Sequence, residues 1–278
     1  MTTGKEQLQN GQLIEALDSF EADLAQATLG TNEYAQILNL IGEVYYNLAD
    51  VKKAQECFEQ ALQIADDSTV RAETLGNIAI ITSNRKDALK LYQQALDLFD
   101  VDNFKGRAAV LNNMGMAYSN MGNRDEAMNH YQQALEVYRR AEDRQGEGSA
   151  LNNIAKIYDS MGERDKALEA FQQTLEIRRE TGDRKGEATT LDNIGGIYAS
   201  KGEPRTAITH FEESLAILED LQDKAGLAVT LTNLAASYIK IGERRAADQY
   251  KKRVKALQKV VQDAKKEQKK RLKERSKR

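Results

Sequence analysis

Asparagine recurs at one position of a repeating pattern, where its side-chain amide could bind an extended peptide. Four of these residues lie forty positions apart, at Asn113, Asn153, Asn193 and Asn233. An asparagine amide carries two donor hydrogens and an acceptor oxygen, so it can pair with a peptide main chain whatever the peptide's side chains. Asparagine is also a poor helix former, so its recurrence needs a reason. A second interpretation stays open, in which these amides bond to the neighbouring repeat and hold successive repeats together.

Histidine, cysteine and carboxylate side chains give little support for catalysis. His130 and His210 occupy the same repeat position two repeats apart. About four helix spacings of ~8–10 Å would separate them, which is too far to share a metal ion or a proton. Cys57 occupies the same position, which favours a small, partly buried residue there. The sequence shows no phosphate-binding loop, zinc-ligand spacing or nucleophile elbow. We therefore predict no enzymatic activity, no cofactor, no metal and no small-molecule substrate.

Composition favours a soluble, all-helical protein. The chain of 278 residues contains one proline, one cysteine, no tryptophan and 6% aromatic residues. Proline costs about 3 kcal/mol inside a helix, so its scarcity favours helices throughout. A single cysteine excludes an internal disulfide framework, and no segment reaches the ~20 apolar residues of a membrane-spanning helix. We therefore predict a cytoplasmic location.

A repeat of about forty residues organises the chain. Residues 111–150 and 151–190 are identical at 18 of 40 positions without a gap. Earlier copies are less regular, and the copy around Ala88 is about three residues short between its helices, which would kink the stack. At the N-terminus, either a stunted unit containing Gly11 and Ala16 begins the array, or the chain was cut from a longer one.

Each repeat predicts a pair of antiparallel helices, helix A followed by helix B. Leu111 and Tyr118 lie on an apolar stripe with helical spacing. Gly122 follows this stripe and suits a left-handed helix end, and a second stripe begins at Ala127. Small residues such as Gly115 recur where the two helices would cross, which predicts a close approach there.

One motif recurs in register over roughly residues 4–257, and most regularly over 105–247. It reads Leu-x2-[Met/Ile/Leu]-[Gly/Ala]-x2-Tyr-x3-Gly-x4-Ala-x3-[Tyr/Phe]-x2-[Ala/Thr/Ser]-Leu. This motif resembles the tetratricopeptide repeat. The forty-residue spacing and the Asp-[Arg/Lys]-x-Gly junctions are similar to the variant of spindle-orientation adaptors, kinesin light chains and bacterial regulators. Leucine replaces the family's first tryptophan, and the proline that usually ends helix B is absent.

The resemblance implies an all-α fold. It is a right-handed α-solenoid, or superhelix, of about six to seven antiparallel helical hairpins with a long C-terminal capping helix. We predict the solenoid over residues 1–247, the capping helix over 248–264 and a basic, frayed tail over 265–278. The predicted units lie near residues 4–30, 35–66, 71–100, 107–140, 147–180, 187–220 and 227–247.

The resemblance also places the non-core face of helix A along an inner groove that binds peptides. The candidate peptide-binding residues on this face are Asn77, Asn112, Asn113, Met116, Asn120, Asn152, Asn153, Lys156, Asp192, Asn193, Asn233 and Lys240. The face carries the acids Glu43, Glu73, Asp159 and Asp192 against the bases Lys156 and Lys240. This balance disfavours a carboxylate clamp and favours a neutral to mildly basic extended segment. We predict a scaffold or adaptor for complex assembly or signalling.

The basic C-terminus supports an alternative function. From Lys251 to Arg278, 14 Lys and Arg residues face three acids, a net charge of +11, while residues 1–250 carry −14. One interpretation is a polar end cap, which a solenoid needs. The same residues could instead attract an anionic partner weakly. The alternative function is therefore an adaptor for nucleic acid or anionic membranes.

Overall fold

A computed structural model describes residues 2–275, except for the side chains at positions 265, 269, 273 and 275. Regular secondary structure in this range consists of fourteen α-helices and no strand. The predicted all-α class is therefore confirmed. The chain divides between Asp143 and Arg144 into two compact units, called unit 1 and unit 2. Residues 276–278 of the predicted tail lie outside the described residues.

Unit 1 consists of four helical hairpins. Its helices are α1 (Thr2–Gln9), α2 (Leu13–Gln26), α3 (Asn32–Asn47), α4 (Val51–Ile64), α5 (Ser68–Ile81), α6 (Arg85–Leu98), α7 (Phe104–Asn120) and α8 (Arg124–Arg140). Each odd-numbered helix packs on the even-numbered helix after it, and each even-numbered helix up to α6 packs on the next hairpin. The core between them consists of small and large apolar side chains in alternation, such as Ala16, Phe20 and Ile41.

Unit 2 consists of three hairpins built in the same way. Its helices are α9 (Arg144–Ser160), α10 (Arg164–Glu180), α11 (Arg184–Lys201), α12 (Pro204–Asp220), α13 (Lys224–Lys240) and α14 (Arg244–Arg275). Phe171 and Phe211 are each 1% exposed and fill the centres of the two core clusters. The odd-numbered helices are the helices A of the sequence pattern, and the even-numbered helices are the helices B.

The turn between helix A and helix B has the left-handed backbone that the sequence predicts. Gly122 has a φ of +77°, a conformation in which a side chain would be strained. The same geometry recurs at Gly162, Gly202 and Gly242. The next helix then begins, because the side chain of Asn123 accepts a hydrogen bond from the backbone N–H of Glu126.

The small residues of helix A leave room for an aromatic ring of helix B. A Cβ atom added to Gly115 would lie 2.7 Å from the ring of Tyr131, and one added to Gly195 would lie 2.6 Å from the ring of Phe211. These distances are far shorter than any real contact. The predicted close approach is present, and the group that makes it is a buried ring rather than a second small residue.

The last helix differs from the sequence prediction. We expected a capping helix that ends at Ala264 and a frayed tail, whereas α14 continues to Arg275. Its first half packs on α13 through Val254 and Leu257. After Ala264 the helix consists of Lys, Glu, Gln and Arg apart from Leu272, and all of these are strong helix formers. These residues keep the helical backbone without burying an apolar face.

Candidate functional site

The asparagines that recur every forty residues are all half-buried on helices A. Asn113 lies on α7, Asn153 on α9, Asn193 on α11 and Asn233 on α13. Each of these residues is therefore only partly covered by the rest of its unit.

In unit 1 the structure brings Asn77 and Asn113 to one cavity of about 350 Å³ between α5 and α7. The apolar residues Ile80 and Val110 also line this cavity. Further along α7, Met116 is 44% exposed and Asn120 is exposed as well. Asn77 and Asn113 thus share one cavity, and Met116 and Asn120 lie on the surface of α7.

On α3, α9 and α11 the residue at the preceding repeat position has a different environment, because it contacts the next helix A. Asn39 donates a hydrogen bond from Nδ2 to Oγ1 of Thr74 at 2.8 Å, which joins α3 to α5. In unit 2 the Thr230 hydroxyl donates to Oδ2 of Asp192 at 2.6 Å, which joins α11 to α13. These bonds join adjacent hairpins, but they belong to the repeat position before that of the recurring asparagine and not to the asparagine itself.

The predicted placement of Asn152 is wrong for this reason. We expected it on the open face, but it is 6% exposed and lies between hairpins. Its Oδ1 accepts a hydrogen bond of 3.3 Å from Nδ2 of Asn193. Asn152 therefore joins α9 to α11 through Asn193.

The charged residues of this face in unit 2 are partly desolvated. Burial raises the pKa of Asp192 to about 6, and the hydrogen bond from Thr230 only partly offsets this shift. Burial also lowers the pKa of Lys156, and repulsion from Arg178 acts in the same direction. Lys240 is exposed near the end of α13. Lys156 and Lys240 differ from Asp192 in the sign of their charge, and Asp192 is the most buried of the three.

Sequence reasoning missed two features of the surface. The first is Asn39, which lines a cavity with Glu43, Glu73 and Asn77. Aligning unit 1 by its own shorter spacing would have placed Asn39 in the row of Asn112. The second is a groove of about 620 Å³ between α13 and α14, with Ile239 and three lysines among its lining residues. The sequence feature that could have indicated this groove is Ile239, an apolar residue on the otherwise polar face of helix A.

The histidines and the cysteine have structural environments. His130 stacks on Tyr118 with ring centroids 5.2 Å apart, and His210 stacks on Tyr198 at 5.5 Å. Burial lowers the pKa of both imidazoles. Burial also raises the pKa of the half-buried Cys57 thiol to about 11, so the reactive thiolate is disfavoured. Across the part of the chain that the structure describes, no three His, Cys, Asp or Glu side chains are grouped to hold a metal ion.

Within residues 2–275, no helix combines the length and the apolar character that crossing a bilayer requires.

The chain matches one protein family along most of its length. The family model described as tetratricopeptide repeat matches residues 33–100, 106–180 and 186–259. The chain belongs to the tetratricopeptide repeat family. The predicted solenoid fold is thereby confirmed, together with the general role of such repeats in binding proteins.

Individual members of the family show how far the likeness extends. The Photosystem I assembly protein Ycf3 of Synechococcus sp. (strain CC9311) is 37% identical in an alignment of 149 residues, and the match covers 48% of this chain and 81% of that protein. A Rap protein complexed with competence and sporulation factor has a TM-score of 0.70 at 21% identity, over 94% of this chain and 74% of the other. Kinesin light chain-like repeats of Podosopora anserina give 0.58 at 18% identity, over 72% and 99%. The two solved structures share the tetratricopeptide fold with this chain.

Proposed function

We propose that this tetratricopeptide repeat protein is a non-catalytic adaptor that holds an extended segment of a partner protein against its helix A face. The observation that carries the proposal is the row of half-buried amides in unit 2, at Asn153, Asn193 and Asn233, together with Asn113 at the same hairpin position in unit 1. Each occupies the same position of its hairpin, and each can offer a donor and an acceptor to a main chain. Repetition of one amide suits a ligand that is itself periodic.

The charge of the face limits the partner segment. The two lysines stand against four carboxylates, so a neutral to mildly basic segment fits better than an acidic one. A role in assembling complexes is supported by the Ycf3 relative, which is named for the assembly of photosystem I. A cytoplasmic location stays a prediction.

A capture experiment tests the proposal. The full chain is used as bait in a lysate, and the captured proteins are compared with those of the Asn153→Ala, Asn193→Ala double variant. We expect the double variant to lose its specific partners while its circular dichroism spectrum is unchanged. Undiminished capture would mean that the amide row does not hold the partner.

A matched control separates binding from packing. Asn193 also bonds to Asn152, so the double variant loosens α9 against α11 as well as removing amides from the face. Asn152→Ala breaks the same inter-helix bond and leaves the face intact. We expect Asn152→Ala to lower the melting temperature and to keep the partners. Equal loss of capture in both variants would attribute the effect to packing.

Salt dependence distinguishes this function from the alternative based on the basic C-terminus. Binding through α14 to nucleic acid or anionic membranes should weaken steeply as salt rises, because it releases counterions. Binding through amide hydrogen bonds should change little. Capture that disappears between low and moderate salt would favour the alternative.

A further inference from the structure

One cavity of unit 1 is lined mostly by polar side chains, two of which are carboxylates. It measures about 380 Å³, and α1, α3 and α5 contribute to it. Its lining residues are Lys5, Gln36, Asn39, Leu40, Glu43, Glu73 and Asn77. The volume lies within the range of small-ligand pockets, roughly 300–1,000 Å³. Since α3 and α5 are helices A, the cavity opens on the face that the proposed function uses.

Asn39 is a buried side chain of this cavity with an unused acceptor. The residue is 7% exposed, and its Nδ2 is engaged by Thr74 at 2.8 Å. Its Oδ1 has no hydrogen-bond partner among residues 2–275. Leaving a buried oxygen unpaired is unfavourable, so a ligand donor that reached it would recover part of that cost.

Two carboxylates of the same lining add negative charge. Burial raises the pKa of Glu43 and of Glu73, and the ammonium group of Lys5 acts on both in the opposite direction. Two carboxylates and one ammonium leave a net charge of −1 at neutral pH. Partly desolvated like charges favour the arrival of a further cation.

We infer that this cavity is a subsite for an arginine side chain of the bound segment. The inference rests on the proposed function and adds one specific recognition element to it. A guanidinium group carries five donors in a rigid plane and no acceptor, which matches a wall of two carboxylates and an amide oxygen. A neutral amide side chain would bring its own oxygen into an acceptor-rich cavity.

Lys5 supports this assignment, because it already places a cationic group at the cavity. It belongs to α1 and is exposed, so its long side chain can move away at little cost. An incoming arginine would compete with it for the two glutamates. Removing the ammonium should therefore strengthen the binding of a cationic ligand.

Two fluorescein-labelled peptides provide the test, Gly-Ser-Gly-Arg-Gly-Ser-Gly and the same peptide with citrulline in place of arginine. Citrulline keeps the shape and loses the charge. Binding to the full chain is followed by fluorescence anisotropy at low salt. We expect the arginine peptide to bind at least tenfold more tightly than the citrulline peptide. Lys5→Met should increase that ratio.

Variants then locate the effect. Glu43→Gln with Glu73→Gln should bring the two peptides to equal affinity. Glu56→Gln with Glu59→Gln makes the same change in net charge on the exposed side of α4, and it should leave the ratio unchanged. Nearly isosteric substitutions at exposed positions should not unfold the chain, and the melting temperature checks this.

Several results would overturn the inference. They are equal affinity of the two peptides, no binding of either, and equal loss in both glutamine double variants, which would indicate only long-range attraction. None of these results depends on partner capture by the amide row. The subsite can therefore fail while the proposed function stands, and loss of capture without loss of the arginine preference would show the reverse.

Discussion

Helix B ends in two different ways, one at α4 and α6 of unit 1 and the other at α10 of unit 2. In unit 1, α4 is followed by Ala65 in an extended conformation, which leaves carbonyl groups at the helix end without backbone partners. Arg71 of the next helix supplies the donors, and its Nη1 lies 3.2 Å from the oxygen of Leu62 and 2.9 Å from that of Ala65. Arg107 does the same for Leu96 and Phe99 after α6.

In unit 2 the backbone closes the helix end by itself. Gly182 follows α10 with a φ of +70°, and the N–H of Asp183 donates to the carbonyl of Arg178 at 2.9 Å. The residue that corresponds to Arg71 is now Glu187, which is 5% exposed. Its carboxylate accepts from Nε of Arg179 at 2.9 Å and from Arg184.

The comparison explains why one repeat position carries opposite charges. Where the turn leaves carbonyls unpaired, an arginine is needed to donate to them. After α10, where the left-handed Gly182 lets the backbone do so, the position takes a glutamate that pairs with neighbouring arginines. At Arg71, Arg107 and Glu187 the sign of the charge therefore follows the turn geometry, whereas the corresponding Leu227 after α12 is uncharged.

The largest expected effect comes from placing an arginine, the residue found at this position in unit 1, at the corresponding position of unit 2. Glu187→Arg would bury a cation beside Arg179 and Arg184, with no free carbonyl to receive it. We expect a loss of roughly 3 kcal/mol or more in the free energy of unfolding, measured by urea denaturation. A loss below about 1 kcal/mol would contradict the argument.

The reciprocal change tests unit 1. Arg71→Ala removes the donor for two carbonyl groups, and we expect unfolding to become easier by about 2 kcal/mol. Arg85→Ala, at an exposed position at the start of α6, is the matched control and should cost little. Equal effects of the two variants would show that the helix end of α4 does not depend on Arg71.

A smaller effect concerns the inter-hairpin pairs, an amide with Thr74 in unit 1 and an acid with Thr230 in unit 2. The pKa of Asp192 is raised to about 6, so the folded state binds a proton more readily than the unfolded chain. The stability gained from this group is complete below about pH 4 and is lost as pH rises through 6. We expect Asp192→Asn to stabilise the chain by about 1 kcal/mol at pH 7.5.

Melting temperatures between pH 4.5 and pH 7.5 measure this difference. The two curves should converge at the acidic end, because Asp192 is protonated there and resembles asparagine. Curves that stay parallel over the whole range would show that Asp192 does not titrate with a raised pKa.

The smallest effect belongs to exposed ion pairs, which the two units share. Lys90 lies 3.0 Å from Asp87 on the outside of α6, and both side chains are more than half exposed. We expect Lys90→Ala to change the free energy of unfolding by less than about 0.5 kcal/mol in the same urea titration. A larger change would mean that surface charge, and not the helix ends, governs the contrast between the units.

Helical periodicity carried enough information to predict the fold. The apolar stripe and the turn glycine of one repeat identify helix A, helix B and the bend at Gly122. The sequence could not show why Gly115 is small, since the ring of Tyr131 that fills the space lies on the other helix.

The candidate site was harder to predict. Asn152 and Asn153 are adjacent on the same side of a helical wheel, yet only Asn152 is covered by the next hairpin. A helical wheel gives the direction in which a side chain points, but it does not show which other helix packs against that side chain. Asn39 escaped notice because unit 1 departs from the forty-residue spacing. The predicted end of α14 was too early, because strong helix formers continue beyond the last residue of the apolar stripe.

Photo-crosslinking tests the central claim most directly, namely that the helix A face holds the partner. A benzoylphenylalanine is placed at Met116 on α7, and in a second protein at the exposed Gln132 on α8 of the same hairpin. We predict that partner proteins crosslink from position 116 and not from position 132. Crosslinking from position 132 alone, or equally from both, would contradict the account.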